Sequence, residues 1–387
     1  MGCRRRPEVA ACRRSAARRP SRAHHALLAM AAALLAISPL PCEERVLVGG
    51  LFDAEIWKTV DGSTLLTRDG GKTAPAGRLR LWSAGQFGRG LQGFVLGAIE
   101  GGAGTEEGKT DATAEQAFLR YSFTPAERVI LQAGRFVSPI GNFARRYLSS
   151  ANPLVGSPGG YDPSYPVGVQ VGGKAALFDY RVAIVDRPLV SGTYLPQPGT
   201  AARPALALGV TPVVGARLGV YATRGPYLSR DLEAMLPAGA GWKDFAQEVY
   251  GLDAQFSRGY FELNGDVART AYEVPGIARD VRGGAYFVEP KYTFTPRLFA
   301  ALRFERNQEA YIKPLAPGVW IGAAIAYSDI EAGAGYRLGP GTILKLAYRK
   351  DRWSVKDSLR PFYPDGYSLS MQLSHTFDAN SWFERPR

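Results

Sequence analysis

Polar and apolar residues alternate along residues 118–136. Over 118–123, one face carries Phe118, Arg120 and Ser122 and the other only apolar and aromatic side chains. A Thr-Pro turn follows at 124–125, and the alternation resumes over 129–134. Because side chains on a β-strand point to opposite faces with a period of two, this stretch predicts a hairpin with a short connection.

The same unit recurs at 249–268, 285–306 and 330–352, where a turn containing Gly or Pro again separates two alternating runs. Extending the pattern to the intervening segments predicts about sixteen strands. They begin near Val46, Gly77, Leu91, Glu115, Arg128, Gly168, Tyr180, Pro204, Ala216, Glu248, Tyr260, Gly284, Leu298, Ala323, Thr342 and Tyr367.

The connections between these strands alternate in length. Short ones lie near 84–90, 124–127, 177–179, 211–215, 257–259, 295–297 and 339–341, and long ones near 61–76, 101–114, 137–167, 186–203, 225–247, 270–283, 307–322 and 353–366. An even number of strands joined alternately by short turns and long loops is typical of bacterial outer-membrane barrels. The sequence therefore predicts an all-β fold over 43–377: a transmembrane antiparallel up-and-down β-barrel of about 16 strands, with long extracellular loops and short periplasmic turns.

The two faces of the predicted strands differ in polarity. In Ile343–Arg349, Lys345 and Arg349 share one face, and the other face carries Leu344, Leu346 and Tyr348. An apolar outer face of this extent is suited to lipid, with a polar lumen opposite. Aromatic residues near predicted strand ends are expected to form the interfacial girdles: Trp57, Trp82, Tyr221, Tyr292, Tyr348 and Trp353.

Residues 1–42 have the layout of a secretory signal peptide. An arginine-rich start precedes the apolar run Ala26–Ile37, and Pro39 and Pro41 end it. That run is about twelve residues long, against roughly 20 for a membrane-spanning helix. Cleavage after Cys42 and lipidation of Cys42 are both open. Residues 378–387 form a short tail after the last predicted strand.

Charge and cysteine content exclude several classes of function. Of the 12 excess positive charges, seven lie in residues 1–41, which hold eight arginines and one glutamate. The rest of the chain is mildly basic and has no dense Lys/Arg stripe, so nucleic acid is not an expected partner. The chain has three cysteines, and at most one of them follows the signal segment. We expect no cysteine metal site and no cofactor.

Two segments carry a resemblance to a known family. The segment Leu131–Gly141 (LQAGRFVSPIG), after a strand that ends in Phe-Thr-Pro, resembles the hairpin that leads into a long loop in bacterial porins of the phosphate-selective (polyphosphate-selective) superfamily. The alternating stretch Tyr367–Phe377 resembles their closing strand, which the outer-membrane assembly machinery reads. The resemblance implies a porin-like pore and a homotrimer. Phosphate-selective members line the pore with lysines, and no such ladder is visible here.

A third long loop inserted into the barrel would narrow its lumen, and charged side chains there would set selectivity. The candidates for pore lining and anion preference are Arg80, Arg120, Arg135, Arg145, Arg146, Lys345 and Arg349. The alternative for the loop arginines is a solvated outer surface that binds lipopolysaccharide sugars.

Catalysis is not expected. Barrel phospholipases and proteases need a histidine near the outer face, and the last histidine, His375, lies at the predicted periplasmic rim. Two functions remain open. One is an outer-membrane porin for passive diffusion of small hydrophilic solutes, with a preference for anions. The other is a loop-plugged barrel acting as an adhesin or structural protein. Outer-membrane lipid and lipopolysaccharide are the expected surroundings of either.

Overall fold

The computed structural model describes residues 46–60, 71–103, 105, 110–161, 163–190, 195 and 199–380, without the side chains of Pro361 and Phe362. The strands are β1 (Val46–Thr59), β2 (Thr73–Phe87), β3 (Leu91–Gly102), β4 (Thr110–Ser122), β5 (Ile130–Arg135), β6 (Val167–Ala175), β7 (Phe178–Val185), β8 (Arg203–Val213), β9 (Ala216–Pro226), β10 (Ala246–Arg258), β11 (Phe261–Tyr272), β12 (Val281–Thr293), β13 (Leu298–Ala316), β14 (Val319–Gly339), β15 (Thr342–Ser354) and β16 (Gly366–Asp378). Short 3₁₀ helices lie at Phe143–Arg145, Arg230–Met235, Trp242–Asp244 and Asp357–Phe362. The predicted signal segment 1–42 and tail residues 381–387 fall outside the described residues.

All sixteen strands belong to one closed antiparallel barrel, in which each strand pairs with its neighbours in the chain. The barrel closes where β1 pairs with β16, from Gly49 opposite Asp378 to Thr59 opposite Ser368. Closure removes the free sheet edges that would otherwise expose unpaired backbone groups. The predicted transmembrane antiparallel barrel is confirmed. No helix among the described residues has the length and apolar character needed to cross a membrane.

The predicted start of β4 was displaced by a bulge. Leu96 pairs with Gln116 but Gly97 pairs with Ala114, so Glu115 is an extra residue in β4. A bulge shifts the alternation by one position, and β4 therefore begins at Thr110 rather than at Glu115.

The predicted long connection at 307–322 was wrong. There β13 and β14 continue as a paired hairpin, and Pro317-Gly318 forms the turn. Gly318 has φ of 74°, a conformation that favours glycine. Pro314 lies next to a register irregularity between Pro314 and Ala316, which is where a strand tolerates proline.

Outward and inward faces differ as predicted. Along β8, Arg203, Ala205 and Ala207 are buried, whereas Leu206 and Leu208 are 44% and 47% exposed. The exposed side chains of such a barrel are the surface suited to lipid, and the buried ones face the interior.

The prediction for the aromatic girdle was wrong for four of its six residues. Tyr292 and Tyr348 are exposed on the outer face. The other four lie on the inner face: Trp57, Trp82, Tyr221 and Trp353. Their contacts agree with this placement. The Trp57 indole N–H donates to Glu55 and the Trp82 ring lies over Gly49, while the Tyr221 hydroxyl donates to Asp266 and Trp353 packs beside Tyr327. Each of these four lies an even number of positions from a buried polar residue of the same strand, so its side chain points to the same inner face. Position in the strand therefore decides its direction, and the general preference of aromatic residues for membrane interfaces does not.

An apolar cluster lies on the long-loop side. It joins the 3₁₀ helix Arg230–Met235, through Leu232, to Tyr272, Ile312 and Trp320. The Trp320 indole N–H donates to the Met235 carbonyl at 2.9 Å. This packing explains why β13 and β14 extend beyond the other strands, because the segment around Arg230–Met235 covers their ends on the long-loop side.

Candidate functional site

The connection between β5 and β6, residues 136–166, lies inside the barrel. Its first part packs Phe136 and Ile140 against inward-facing residues of β7 to β11. Its successive polar contacts are Asn142 with β11, Arg146 with β12, Ser149 with β1, Leu154 with β15, Gly156 with β14 and Tyr161 with β12. The loop thus follows the inner wall from one side of the barrel to the other and narrows the interior.

Arg303 on β13 joins the loop to the wall. Its guanidinium is fully buried and donates to Glu289 at 2.6 and 2.9 Å and to Glu331 at 3.0 Å. It also donates to the Gly156 carbonyl at 2.9 Å and to the Asn152 side chain at 3.0 Å. Since all these partners are buried with it, Arg303 is a structural anchor, a role that the sequence analysis did not assign to it.

Lys345 on β15 has a similar role. Its ammonium group donates to the carbonyls of Ser149, Asn152 and Leu154 at 2.8, 3.0 and 3.1 Å, and the residue is 1% exposed. An ammonium group has three donors, and all three are used by the loop backbone. Lys345 therefore faces the interior as predicted, but the loop lies between it and any open space.

Two glycines let the loop backbone approach the wall closely. The N–H groups of Gly156 and Gly159 donate to Glu331 and Glu305, each at 2.9 Å. A β-carbon on Gly156 would lie 2.8 Å from a Glu331 oxygen, and one on Gly159 would lie 1.8 Å from the Tyr327 hydroxyl. Only glycine fits at these two contacts.

Arg80 on β2 lies at the centre of a second group. Its Nε donates to both oxygens of Glu115 at 3.0 and 3.1 Å, and its guanidinium lies over the Tyr147 ring. The Tyr147 hydroxyl donates to Glu115 at 3.1 Å. Burial, together with the adjacent Glu115 carboxylate, raises the pKa of Tyr147 to about 12, so this loop residue remains a neutral donor.

Arg146 and Arg349 are also paired with carboxylates. Arg146 contacts Glu289 and lies over the rings of Phe143 and Phe287. Arg349 donates to Asp329 at 2.6 Å and to Glu305 at 3.3 Å. Both guanidinium groups are largely buried. Arg146 joins the loop to β12, whereas the partners of Arg349 lie on the wall, where Glu305 also accepts from the Gly159 N–H.

Arg145 lies in a different environment. Its side chain is 38% exposed and its guanidinium is 3.9 Å from Asp179. The same carboxylate accepts two hydrogen bonds from Arg217 at 2.7 and 2.8 Å, and Arg217 also contacts Asp253. Arg181, on the same face of β7 as Asp179, lies within electrostatic reach of both arginines, and its buried Nη2 has no hydrogen-bond partner.

These three arginines and two carboxylates leave one positive charge in excess. The sequence analysis identified Arg145 and missed Arg181 and Arg217. The alternation of apolar residues along 178–185 and 216–226 was the available signal, because it places both side chains on the inner face.

The two remaining candidates are Arg120, near the short turn after β4, and Arg135, where the loop leaves β5. Arg120 pairs at 2.5 Å with Glu127 in the turn after β4. Arg135, at the end of β5, is half-buried, and its Nε has no hydrogen-bond partner. The structure thus does not bring the seven predicted residues, six arginines and one lysine, into one row.

The histidine of the described barrel, His375, lies on β16. The Nδ1 atom of His375 is 2.8 Å from the Thr342 hydroxyl at the short-turn end. Across the described ranges, no group of three or more His, Cys, Asp or Glu residues is arranged to hold a metal ion.

Solved structures with the same fold are outer-membrane proteins. The anion-selective porin from Comamonas acidovorans has 12% identity and a TM-score of 0.56, with 87% of this chain and 100% of that chain covered. Pseudomonas putida OprB has 11% identity and a TM-score of 0.57, with 86% and 94% covered. The trimer form of Vibrio cholerae OmpT has 10% identity and a TM-score of 0.54, with 86% and 99% covered.

Neither a protein-family model nor a curated protein sequence matches the chain. At these identities the likeness concerns the fold, and the fold is that of a sixteen-stranded porin-like barrel.

Proposed function

We propose that the protein is an outer-membrane porin through which small hydrophilic solutes diffuse passively. The observation that carries this proposal is loop 136–166, which lies inside a closed barrel and is held against the wall by Arg303 and Lys345. Buried charged anchors hold the loop against the wall, and strands β2–β7 retain exposed or half-buried polar side chains on their inner faces: Gln86, Gln92, Arg120, Gln132, Gln170 and Arg181. Solutes pass between these strands and the loop.

The apolar outer face contacts outer-membrane lipid and, on the long-loop side, lipopolysaccharide. The outer-membrane assembly machinery inserts the barrel by reading β16. The protein is a homotrimer in this proposal, supported by the trimer form of Vibrio cholerae OmpT, which shares the fold.

The pore prefers anions. Five inward-facing carboxylates of β11–β14 are at most 4% exposed: Asp266, Glu289, Glu305, Asp329 and Glu331. Arg145, in contrast, is 38% exposed beside Arg181 and Arg217. A charge in contact with water acts on a passing ion more strongly than one compensated by a buried partner. The anion-selective porin from Comamonas acidovorans, which shares the fold, supports the same direction.

The test is the reversal potential of the refolded protein in a planar bilayer under a KCl gradient. We expect discrete conductance steps and an anion-selective reversal potential. Arg145→Glu should shift that potential toward cations, because it reverses an exposed charge at the loop. Arg224→Glu is the matched control, because it makes the same charge reversal outside the pore. Arg224 lies on the outer face of β9 at its long-loop end, is 63% exposed and pairs with Glu248 and Glu273.

A cation-selective wild-type pore would contradict the role of Arg145. Protein that is folded by heat-modifiability and circular dichroism but gives no steps would contradict the pore itself.

The second candidate is a loop-plugged barrel with a surface-binding or structural role. It is favoured by the apolar cluster of Leu232, Tyr272, Ile312 and Trp320, which makes the long-loop side an ordered surface. Absence of conductance from folded protein would support this candidate.

A further inference from the structure

A row of four glutamines, with Arg120 among them, crosses the inner wall from β2 to β6. In register, Gln86 pairs with Gln92, Gln92 with Arg120, Arg120 with Gln132, and Gln132 with Gln170. Neighbouring strands lie about 4.8 Å apart, so the row extends over about 19 Å.

The row faces the interior. The residues that alternate with it, among them Leu119 and Val169, are 56% and 49% exposed on the outer face. Gln86 and Gln92 are exposed and Gln132 and Gln170 are half-buried, so all four side chains border open space inside the barrel.

The amide groups of this row are available to a solute. Within the described part of the chain, the side chains of Gln92, Gln132 and Gln170 have no protein hydrogen-bond partner. Gln86 reaches only the Gly88 carbonyl of its own turn, at 3.5 Å. The charge of Arg120 is compensated by Glu127 at 2.5 Å, so the row as a whole is neutral.

A pair of aromatic rings lies beside the row, two residues along β3 from Gln92 and two residues along β4 from Arg120. Phe94 and Phe118 face each other across β3 and β4, with ring centroids 5.3 Å apart and planes inclined by 33°. Both are half-buried and share the inner face with Gln92 and Arg120. The wall thus combines an apolar aromatic surface with a neutral row of donors and acceptors.

We propose that the row and the ring pair form a contact track for neutral polyhydroxylated solutes, that is, for sugars. A primary amide has two donors and a carbonyl acceptor, and a hydroxyl group also donates and accepts. The C–H face of a sugar ring is apolar and fits against aromatic rings, while its hydroxyl groups reach the glutamines. Ions interact instead with the group around Arg145. This inference rests on the proposed pore and adds a solute class to it.

The test uses maltose as the probe, added to the wild-type channel in KCl while single-channel current is recorded. We expect maltose to reduce the current in a concentration-dependent way. In Gln132→Leu/Gln170→Leu, the half-blocking concentration should rise by about fivefold, since two hydrogen-bonding side chains are replaced by apolar ones of similar size. The KCl conductance without maltose should change by less than about twofold.

Gln255→Leu is the matched control. Gln255 lies on β10, opposite Arg217 and Asn264 and away from the row, and its substitution should leave the maltose block unchanged. If the double variant does not refold, Gln170→Leu alone should raise the half-blocking concentration by about twofold.

The outcomes separate this inference from the proposed function. A folded wild-type protein without conductance contradicts the pore. A conducting wild-type channel that maltose does not block, or equal block in the double variant and in Gln255→Leu, overturns the sugar track and leaves the pore standing.

Discussion

The inner wall has two halves that use arginine differently. On the loop-holding wall (β11–β15 with β1), Arg303 and Arg349 are buried and each is bound by two carboxylates. The open wall (β2–β9) is covered by the loop only in part, through Phe136, Ile140 and Tyr147. There Arg181 retains a nitrogen without a partner and Arg217 lies near the half-exposed Arg145 of the loop. The same residue type is an anchor in the first half and a candidate contact for ions in the second.

Burial accounts for this difference. Removing one member of a buried ion pair leaves an uncompensated charge in a medium that solvates it poorly, so such pairs hold structure. An exposed guanidinium keeps its water and can exchange it for a passing anion. Substitutions in the two halves should therefore differ in what they change: stability in the first, selectivity in the second.

The largest effect is expected at Arg303. Arg303→Met keeps the side-chain volume but leaves Glu289 and Glu331 buried without this partner, and it removes donors to Gly156 and Asn152. We expect a loss of about 3–5 kcal/mol in the free energy of unfolding. Urea unfolding of the protein in lipid vesicles measures it, and limited proteolysis at 149–159 reports release of the loop. A loss below about 1 kcal/mol would contradict the anchoring role.

An intermediate effect is expected at Gly209 on the open wall. A β-carbon there would lie 2.3 Å from a nitrogen of Arg217 and 2.4 Å from an oxygen of Asp179. Gly209→Ala should push this ion pair from the wall into the lumen, cost about 1–3 kcal/mol and lower the single-channel conductance. Gly77→Ala is the control, because the nearest atom to its added carbon is 3.9 Å away. Equal conductance in the two variants would show that the ion pair does not border the path.

The smallest effect is expected at the exposed Arg224. Its partners Glu248 and Glu273 lie at 3.0 and 3.1 Å, but all three side chains are well exposed. Arg224→Gln should change the free energy of unfolding by about 0.2–1 kcal/mol, and less in high salt. Urea unfolding at low and high KCl concentration measures this difference. A change as large as that of Arg303→Met would mean that burial does not decide how much an arginine ion pair contributes to stability.

Most of the strands could be predicted from the sequence because an inner and an outer face impose a period of two. The predictions failed where another constraint replaced that period. At Glu115 a bulge shifted the phase, and at 307–322 packing of Ile312 and Trp320 extended two strands through a segment that contains prolines. Aromatic residues such as Trp353 point to the inner face because of the alternation along their strand, although they lie near its end.

The candidate site could be predicted only in part. The sequence indicated a charged loop inserted after Pro139 and inward-facing cations at Arg80, Lys345 and Arg349. It could not show that Lys345 is covered by the carbonyls of Ser149 and Leu154, since those contacts join residues almost 200 positions apart. The alternation of apolar residues along β7 and β9 could have predicted that Arg181 and Arg217 face the interior, and the sequence analysis overlooked both.

The sequence by itself determined the barrel, its strand number, and which face of most strands is apolar, because these follow from local periodicity and from the lengths of connections. Tertiary structure alone decided which inward charges are anchors and which border open space. That distinction depends on the course of loop 136–166, and the loop's course is set by glycine contacts and buried ion pairs between residues far apart in the chain.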